Sequence, residues 1–415
     1  MLGRMGETRT IGTAERRARL GARHLLAGGA RAGSAEEVAG ALVALHGTDP
    51  ASVFLSVGAR LAGAVDPVAD VERALYEDRS LVRMHGMRHT VFVFPVALTP
   101  AVQASTTRPA AVRERTALIK HLVAGSSFDA AWLAGTEGRV LDELAKRGEA
   151  TGTELGEAVP ELRSTYLYGP GTRQEGVQSM SSRVLRVLGM EGRIVRGRPQ
   201  GSWTSSRFRW ALGAPHPERA PAEARAELLR PWLAACGPAT EADLKWWTGW
   251  KVTEVREALA AVGAVRVRLE PTEGTDGTAG TGGAGGTAGT AGTGFVLPDD
   301  LAPVPEGEPW AALLPTLDPT AMGWQGRDWY LAPELRPALY DRSGNIGPTV
   351  WWNGRIVGGW AQRPDGTVVH RLLTDVGAEA ERAIGAEAER LTAWVGDVRV
   401  TPRFRAPLER ELSAG

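Results

Sequence analysis

Gly176-Val-Gln-Ser-Met-Ser-Ser-Arg-Val-Leu-Arg-Val-Leu-Gly-Met190, followed by Arg193-Ile-Val-Arg196 and Arg207-Phe-Arg-Trp-Ala-Leu212, is the stretch on which the fold turns. Val177, Met180, Val184, Leu185 and Leu188 recur at helical spacing and predict one helix across 176–190. The two short segments behind it predict a hairpin around Gly197 to Ser206. Upstream, Thr136 to Arg147 places Val140, Leu141 and Leu144 on one face. Thr153 to Ala158 is a short second helix, ended by Pro160. Three helices followed by a two-stranded hairpin is the order of a winged helix, expected here over 136–212.

The same order recurs over 222–300. Ala222 to Ala235 carries Leu228, Leu229, Trp232 and Leu233 at helical spacing and stops at Gly237-Pro238. Thr240 caps a short helix ended by Gly249, and Thr253 opens a third through Val262. Ala264-Val-Arg-Val-Arg-Leu269 alternates strictly, as a half-buried strand does, and Gly294-Phe-Val-Leu297 is its candidate partner. Between them, residues 271–294 are dominated by Gly, Thr and Ala, which predicts a long solvated wing; a domain linker is the alternative.

Residues 13–95 are expected to be a looser, third winged-helix-like unit. Helices are predicted at Thr13 to Leu26, Ser34 to Leu45, Pro50 to Leu61 and Pro67 to Tyr76. Leu81 to Met84 and His89 to Phe94 then read as paired strands turning at Gly86. Residues 310–400 differ. Asn353-Gly354 between Thr349 to Trp352 and Arg355 to Trp360 is a strong hairpin signal. A strand at Thr367 to Leu373 and a helix at Ala378 to Val395 complete a mixed cap. The expected class is α+β: tandem winged-helix units with a C-terminal mixed α+β cap.

Length and composition agree with several domains, since 415 residues exceed one ordinary unit and 43% are hydrophobic. Lys+Arg and Asp+Glu both number 48, so a globally basic coat is excluded and any basic face must be local. From Arg163 to Arg209 there are nine arginines and two acids, a local charge of about +7. Arg183 and Arg186 on the third helix could reach base edges or phosphates. Arg193, Arg196, Arg198 and Arg207, on the hairpin and wing, are phosphate candidates. Arg is also this chain's preferred cation, with Lys present only four times, which weakens the case for any single arginine.

The single cysteine, Cys236, makes no internal disulfide and no Cys-based zinc site. No apolar run approaches the roughly 20 residues of a membrane span, and the first residues lack a signal peptide's apolar core. The expectation is a cytoplasmic, monomeric protein without metal or cofactor, partnered by double-stranded DNA and nucleoid-associated when bound. There is no phosphate-binding glycine loop and no nucleophile elbow. The conspicuous polar cluster is Leu45-His-Gly-Thr-Asp-Pro50, which in purely structural terms is a helix N-cap preceded by a turn.

Several longer stretches add a resemblance. Ala44-Leu-His-Gly-Thr-Asp-Pro50 with Phe54-Leu-Ser56 and Ala59-Arg-Leu61, and Leu81-Val-Arg-Met-His-Gly-Met-Arg-His-Thr-Val91, form its first part. Gly237-Pro-Ala-Thr-Glu-Ala-Asp243, Leu317-Asp-Pro319 and Asp341-Arg-Ser-Gly-Asn-Ile-Gly-Pro348 form its second. Together they resemble the AlkZ/YcaQ-type winged-helix DNA glycosylases. That resemblance implies excision of alkylated or bulky purine adducts from DNA.

The family's activity motif is Gln-x-Gln or Gln-x-Asp, and alignment on Asp49-Pro50 puts His46 and Thr48 in its two places. His46 could orient or deprotonate a water, and Thr48 could hydrogen-bond one. Asp49 is the better base unless committed to capping. Arg88, in the Met-Arg-x-Thr stretch that packs beside the active site in that family, could hold a phosphate. Two alternatives stay open: a non-catalytic winged-helix binder, regulator or lesion sensor, and a protein that sequesters a DNA-reactive small molecule.

Overall fold

The structure, a computed structural model, describes residues 8–29, 31–63, 65–271 and 292–415. It is an α+β chain of many helices and small antiparallel sheets. Two compact units arise from how the chain packs: Glu72–Arg225, and the two flanking segments 1–71 and 226–415 together.

In the flanking unit, helix Thr13–Arg23 is shorter than its predicted span and ends at His24, after which Leu25 takes a positive φ of 58°. Ser34 caps Ala35–Leu42 by accepting from the Glu37 N–H at 3.2 Å, and Val43 breaks that helix at φ 67°. Pro50–Gly58 is buried along its whole length. Pro221–Cys236 runs into this unit at its C-terminal end. Glu241–Thr248 follows behind a capping box of Thr240 and Asp243, and Gly249 ends it in the left-handed conformation that glycine adopts without strain. Val252–Ala261 leads into strand Val265–Leu269, which pairs antiparallel with Gly292–Val296, Val265 opposite Val296 and Leu269 opposite Gly292. Thus the two strand readings that flank the Gly/Thr segment form a hairpin; most of the predicted wing itself lies outside the described residues. Thr10–Ile11 adds a parallel third strand that the sequence did not signal.

The C-terminal part of this unit is a four-stranded antiparallel sheet of Ala311–Leu314, Thr349–Trp352, Arg355–Gln362 and Val368–Leu372 in spatial sequence. Asn353 and Gly354, both at positive φ, make the tight turn. Helix Gly377–Val395 packs on the strands through Ala380, Ile384, Ala388, Leu391 and Val395. Helix Pro407–Ala414 closes the chain.

In the middle unit, Leu81–His85 and Val91–Pro95 pair as expected, His85 opposite Val91. Helix Arg108–Gly125 was not anticipated. Ala130–Arg147 starts at its Asp129 cap, six residues earlier than read from sequence. Thr151 and Glu154 form a capping box for Gly152–Ala158. The single helix expected over 176–190 requires correction: only Met180–Met190 is helical. Gly176–Ser179 is a strand paired with Thr165–Tyr168, Gly176 opposite Tyr168. Val177 consequently leaves the apolar stripe and is 71% exposed. The remaining stripe, Met180, Val184, Leu185 and Leu188, packs with Leu133, Val140, Leu144 and Leu155 in one core. Strands Ile194–Pro199 and Phe208–Leu212 pair antiparallel behind it, joined on the far side by Glu149–Thr151.

Candidate functional site

The segment 46–50 is shaped by a helix start. Asp49 has extended backbone angles, φ −98° and ψ 115°, and its Oδ1 accepts from the Ala51 N–H at 3.2 Å. Pro50 occupies the first helical position, where its missing N–H costs nothing. The other carboxylate oxygen, Oδ2, accepts from the main-chain N–H of Arg403 at 3.1 Å. The Arg403 guanidinium reaches the Thr48 carbonyl at 3.5 Å, a weak contact. Asp49 is therefore both an N-cap and the anchor of a distant C-terminal segment. Burial raises its pKa above the usual carboxylate value, and the two N–H donors only partly offset that.

Thr48 and Asp49 are thus brought together on residue 403. His46 is buried in the short strand Leu45–His46 just before them. The Thr48 Oγ1 is buried and has no hydrogen-bond partner among the described residues. Beside Asp49 lies a cavity of about 10 Å³, walled also by Ser52, Thr316, Trp360, Gln362 and Val400. That is about the space of a single water.

Both ends of helix Pro50–Gly58 are pinned. At its C-terminal end Arg60 and Asp318, each wholly buried, form a two-pronged ion pair at 2.8 and 2.9 Å. Ser56 donates to Asp318 at 2.7 Å, and Arg60 also donates to the Thr320 hydroxyl and the His24 carbonyl. Burial alone would raise the Asp318 pKa, but the Arg60 guanidinium outweighs it and holds the carboxylate below its usual range. Near Asp49, Gln362 ties down the chain that delivers Arg403, accepting from Val400 N–H at 2.8 Å and donating to the Val398 carbonyl at 3.1 Å.

The middle unit holds the arginines, and it redistributes their charge. Arg183 and Arg186 face Glu114 of helix Arg108–Gly125, at 4.0 and 3.3 Å. Arg193 reaches Glu137 at 3.3 Å and Glu191 at 3.8 Å. Arg198 is paired with Glu72 and Glu77 and lies over the Tyr76 ring. Arg196 sits 4.2 Å above the Phe208 ring. Arg207, by contrast, is exposed and has no carboxylate partner among the described residues. Arg88 is exposed at a positive φ of 52° in the turn between its two strands. Sequence reasoning passed over Arg163 and Arg173, which are likewise exposed without an acid partner among the described residues. It also passed over Arg403, which nothing in the linear sequence connects to Asp49.

The family model described as DNA glycosylase AlkZ-like matches residues 39–394. The chain belongs to the AlkZ-like DNA glycosylase family. The match takes in His46, Thr48 and Asp49 and stops short of Arg403. Among solved structures, the chain is similar to the Streptomyces sahachiroi DNA glycosylase AlkZ, with 20% identity over 94% of this chain and 98% of that one. The TM-score is 0.64, so the AlkZ fold is shared although four residues in five differ. No curated protein matches the AlkZ-like chain. Among the described residues no cluster of three or more His, Cys, Asp or Glu could hold a metal ion, and no helix is long and apolar enough to cross a membrane.

Proposed function

We propose that this chain is a monomeric winged-helix protein that binds duplex DNA in the cytoplasm and hydrolyses the N-glycosidic bond of an alkylated or bulky purine adduct. The observation that carries the proposal is the family match across the 46–49 segment. Segments 13–95, 136–212 and 222–300 would be the winged-helix units and 310–400 the cap. The three helices and hairpin ending at Leu212 support this for the second of them.

The chemistry required is modest. An N7- or N3-alkylated purine is already cationic, so it departs with little acid help and leaves an oxocarbenium-like sugar. A fixed carboxylate stabilises that developing charge and can take a proton from the attacking water. Asp49 is the group for this role, since two main-chain donors hold its orientation. The buried Thr48 hydroxyl and the His46 imidazole would position the water. Arg88, Arg183, Arg186, Arg193, Arg196, Arg198 and Arg207 would hold the DNA backbone, with Arg207 contributing most fully because no acid among the described residues competes for it.

The test is a duplex carrying one N7-methylguanine, incubated with the protein and then treated with mild alkali. Strand cleavage above the spontaneous rate supports a monofunctional glycosylase. One observation favours a second reading, a lesion sensor or regulator without chemistry: both Asp49 oxygens are already engaged by main-chain N–H groups. Tight, salt-sensitive binding with no cleavage of methylated or bulkier adducts would establish that reading instead.

A further inference from the structure

A second cavity, sharing no residue with the 46–49 segment, opens in the flanking unit between helix Thr13–Arg23, the segment leading into Trp310, and the turn at Asn353. Its volume is about 340 Å³, which falls at the lower end of the range for small-molecule sites. Two tryptophans line it, Trp310 buried and Trp352 half-buried. The Asn353 N–H donates to the Trp310 carbonyl at 2.9 Å, so the turn holds the wall in place.

The charged groups around it are mostly basic. Arg17 and Arg355 both line the cavity, against one acid, Glu306. Other arginines of the unit are paired with acids: Arg19 and Arg23 share Asp300, and Arg60 grips Asp318. The Arg355 guanidinium has no ion pair and no hydrogen bond among the described residues, and neither has the Glu306 carboxylate, although both residues line the same space. Arg17 is steadied by donation from its Nε to the Trp329 carbonyl at 2.8 Å. The Asn353 side-chain amide is exposed at the rim.

Indole faces accept a planar base by stacking. A guanidinium matches a phosphate through paired N–H donors. A side-chain amide can satisfy both a donor and an acceptor on a purine edge. We infer that this cavity is a purine-nucleotide site: the base rests against Trp352 and Trp310, Asn353 meets its edge, and Arg355 with Arg17 takes the phosphate. The nucleotide has two sources, a free monophosphate or a residue of a single DNA strand. The inference does not depend on the 46–49 segment being catalytic.

Calorimetric titration of the full chain with deoxyadenosine 5′-monophosphate, deoxyadenosine and a single-stranded five-residue oligo-deoxyadenylate tests it. Saturable one-to-one binding of the monophosphate below about 1 mM is expected. Deoxyadenosine should bind about tenfold more weakly, having lost its charge-assisted hydrogen bonds. Arg355→Ala, at the exposed first residue of its strand, should weaken the monophosphate about tenfold, and Trp352→Ala by about tenfold or more. Equal affinity for monophosphate and oligonucleotide identifies a free-nucleotide site, and much tighter oligonucleotide binding identifies a strand site. Either result supports the site when both variants weaken it. Failure of both ligands to bind, or binding untouched by either substitution in a chain of unchanged melting temperature, overturns it.

Discussion

The main-chain N–H of Arg403 donates to the Asp49 carboxylate across 3.1 Å, joining positions 354 residues apart. One end of the chain thereby holds the N-cap carboxylate of a helix near the other. Because the donor is backbone, the two substitutions possible at 403 separate its roles. Arg403→Ala keeps the N–H and should leave stability within about 0.5 kcal/mol. Arg403→Pro deletes it and should cost about 1–2 kcal/mol, read as a lowered unfolding midpoint in urea. It should also raise the Asp49 pKa further, because that bond favours the charged form; carbon NMR of the carboxyl would register the change.

Asp49 itself divides cap from charge. Asparagine keeps the cap to Ala51 but sets an amide NH2 against the Arg403 N–H, so Asp49→Asn should cost about 1–2 kcal/mol, while Asp49→Ala loses the cap as well, about 1 kcal/mol more. If the carboxylate stabilises the transition state, Asp49→Asn should slow excision of N7-methylguanine by about 10²-fold or more with DNA affinity kept. His46→Ala, if the imidazole only positions water, should cost less. Wild-type rates in both variants would remove these residues from the mechanism.

The Arg60–Asp318 pair is buried on both sides, so removing one partner strands a charge in the interior. Asp318→Ala should destabilise by about 3–5 kcal/mol. At roughly 2–4 °C per kcal/mol for a domain of this size, calorimetry should find a loss of the order of 10 °C. Pairing it with Arg60→Met should recover part of the loss. A double variant worse than the single one would contradict the account.

Acid should weaken the fold in a window set by two histidines. Burial holds both His24 and His85 at about 3, against an ordinary value of 6.5; neighbouring arginines push the same way. The unfolded chain takes up these protons first, so stability is full above about 6.5 and is lost progressively as pH falls toward 3. Asp318, held low, adds a loss below 3.8. Asp49, raised, works in the opposite sense, since its folded form accepts a proton before the unfolded one does. Urea midpoints measured from pH 7 to pH 4 should fall steadily; a flat profile would contradict burial of the neutral imidazoles.

DNA binding should discriminate among the arginines. Arg207 has no acid partner among the described residues, so Arg207→Ala should reduce the slope of log affinity against log salt by about 0.9. Arg193 must first leave Glu137 and Glu191, so Arg193→Ala should change both affinity and slope less. Anisotropy titrations of a labelled duplex at several salt concentrations would rank them. The opposite ranking would place the DNA on another face.

Legibility followed the range of the forces involved. Thr240 and Asp49 announce helix starts through bonds to residues two or three positions on, and Asn353-Gly354 announces its turn by backbone preference alone. Gly176–Ser179 was misread because its few apolar residues suit either period, and its strand partner Thr165–Tyr168 decided the matter. The arginine count between 163 and 209 was correct as arithmetic. It overstated the basic face because Glu72, Glu77, Glu114 and Glu137, outside that window, fold back onto it.

By itself, then, the sequence determined the α+β class, most helix and hairpin positions, and the segment 46–49 as the place to look. These depend on capping, periodicity and turn chemistry, all settled within a few residues. Only the tertiary structure decided that both Asp49 oxygens are taken, that Asp318 anchors the helix behind it, and which arginines of the basic stretch are paired with acids. Each of those is an electrostatic contact between residues far apart in the chain, and its strength depends on burial and distance, which exist only once the chain has packed.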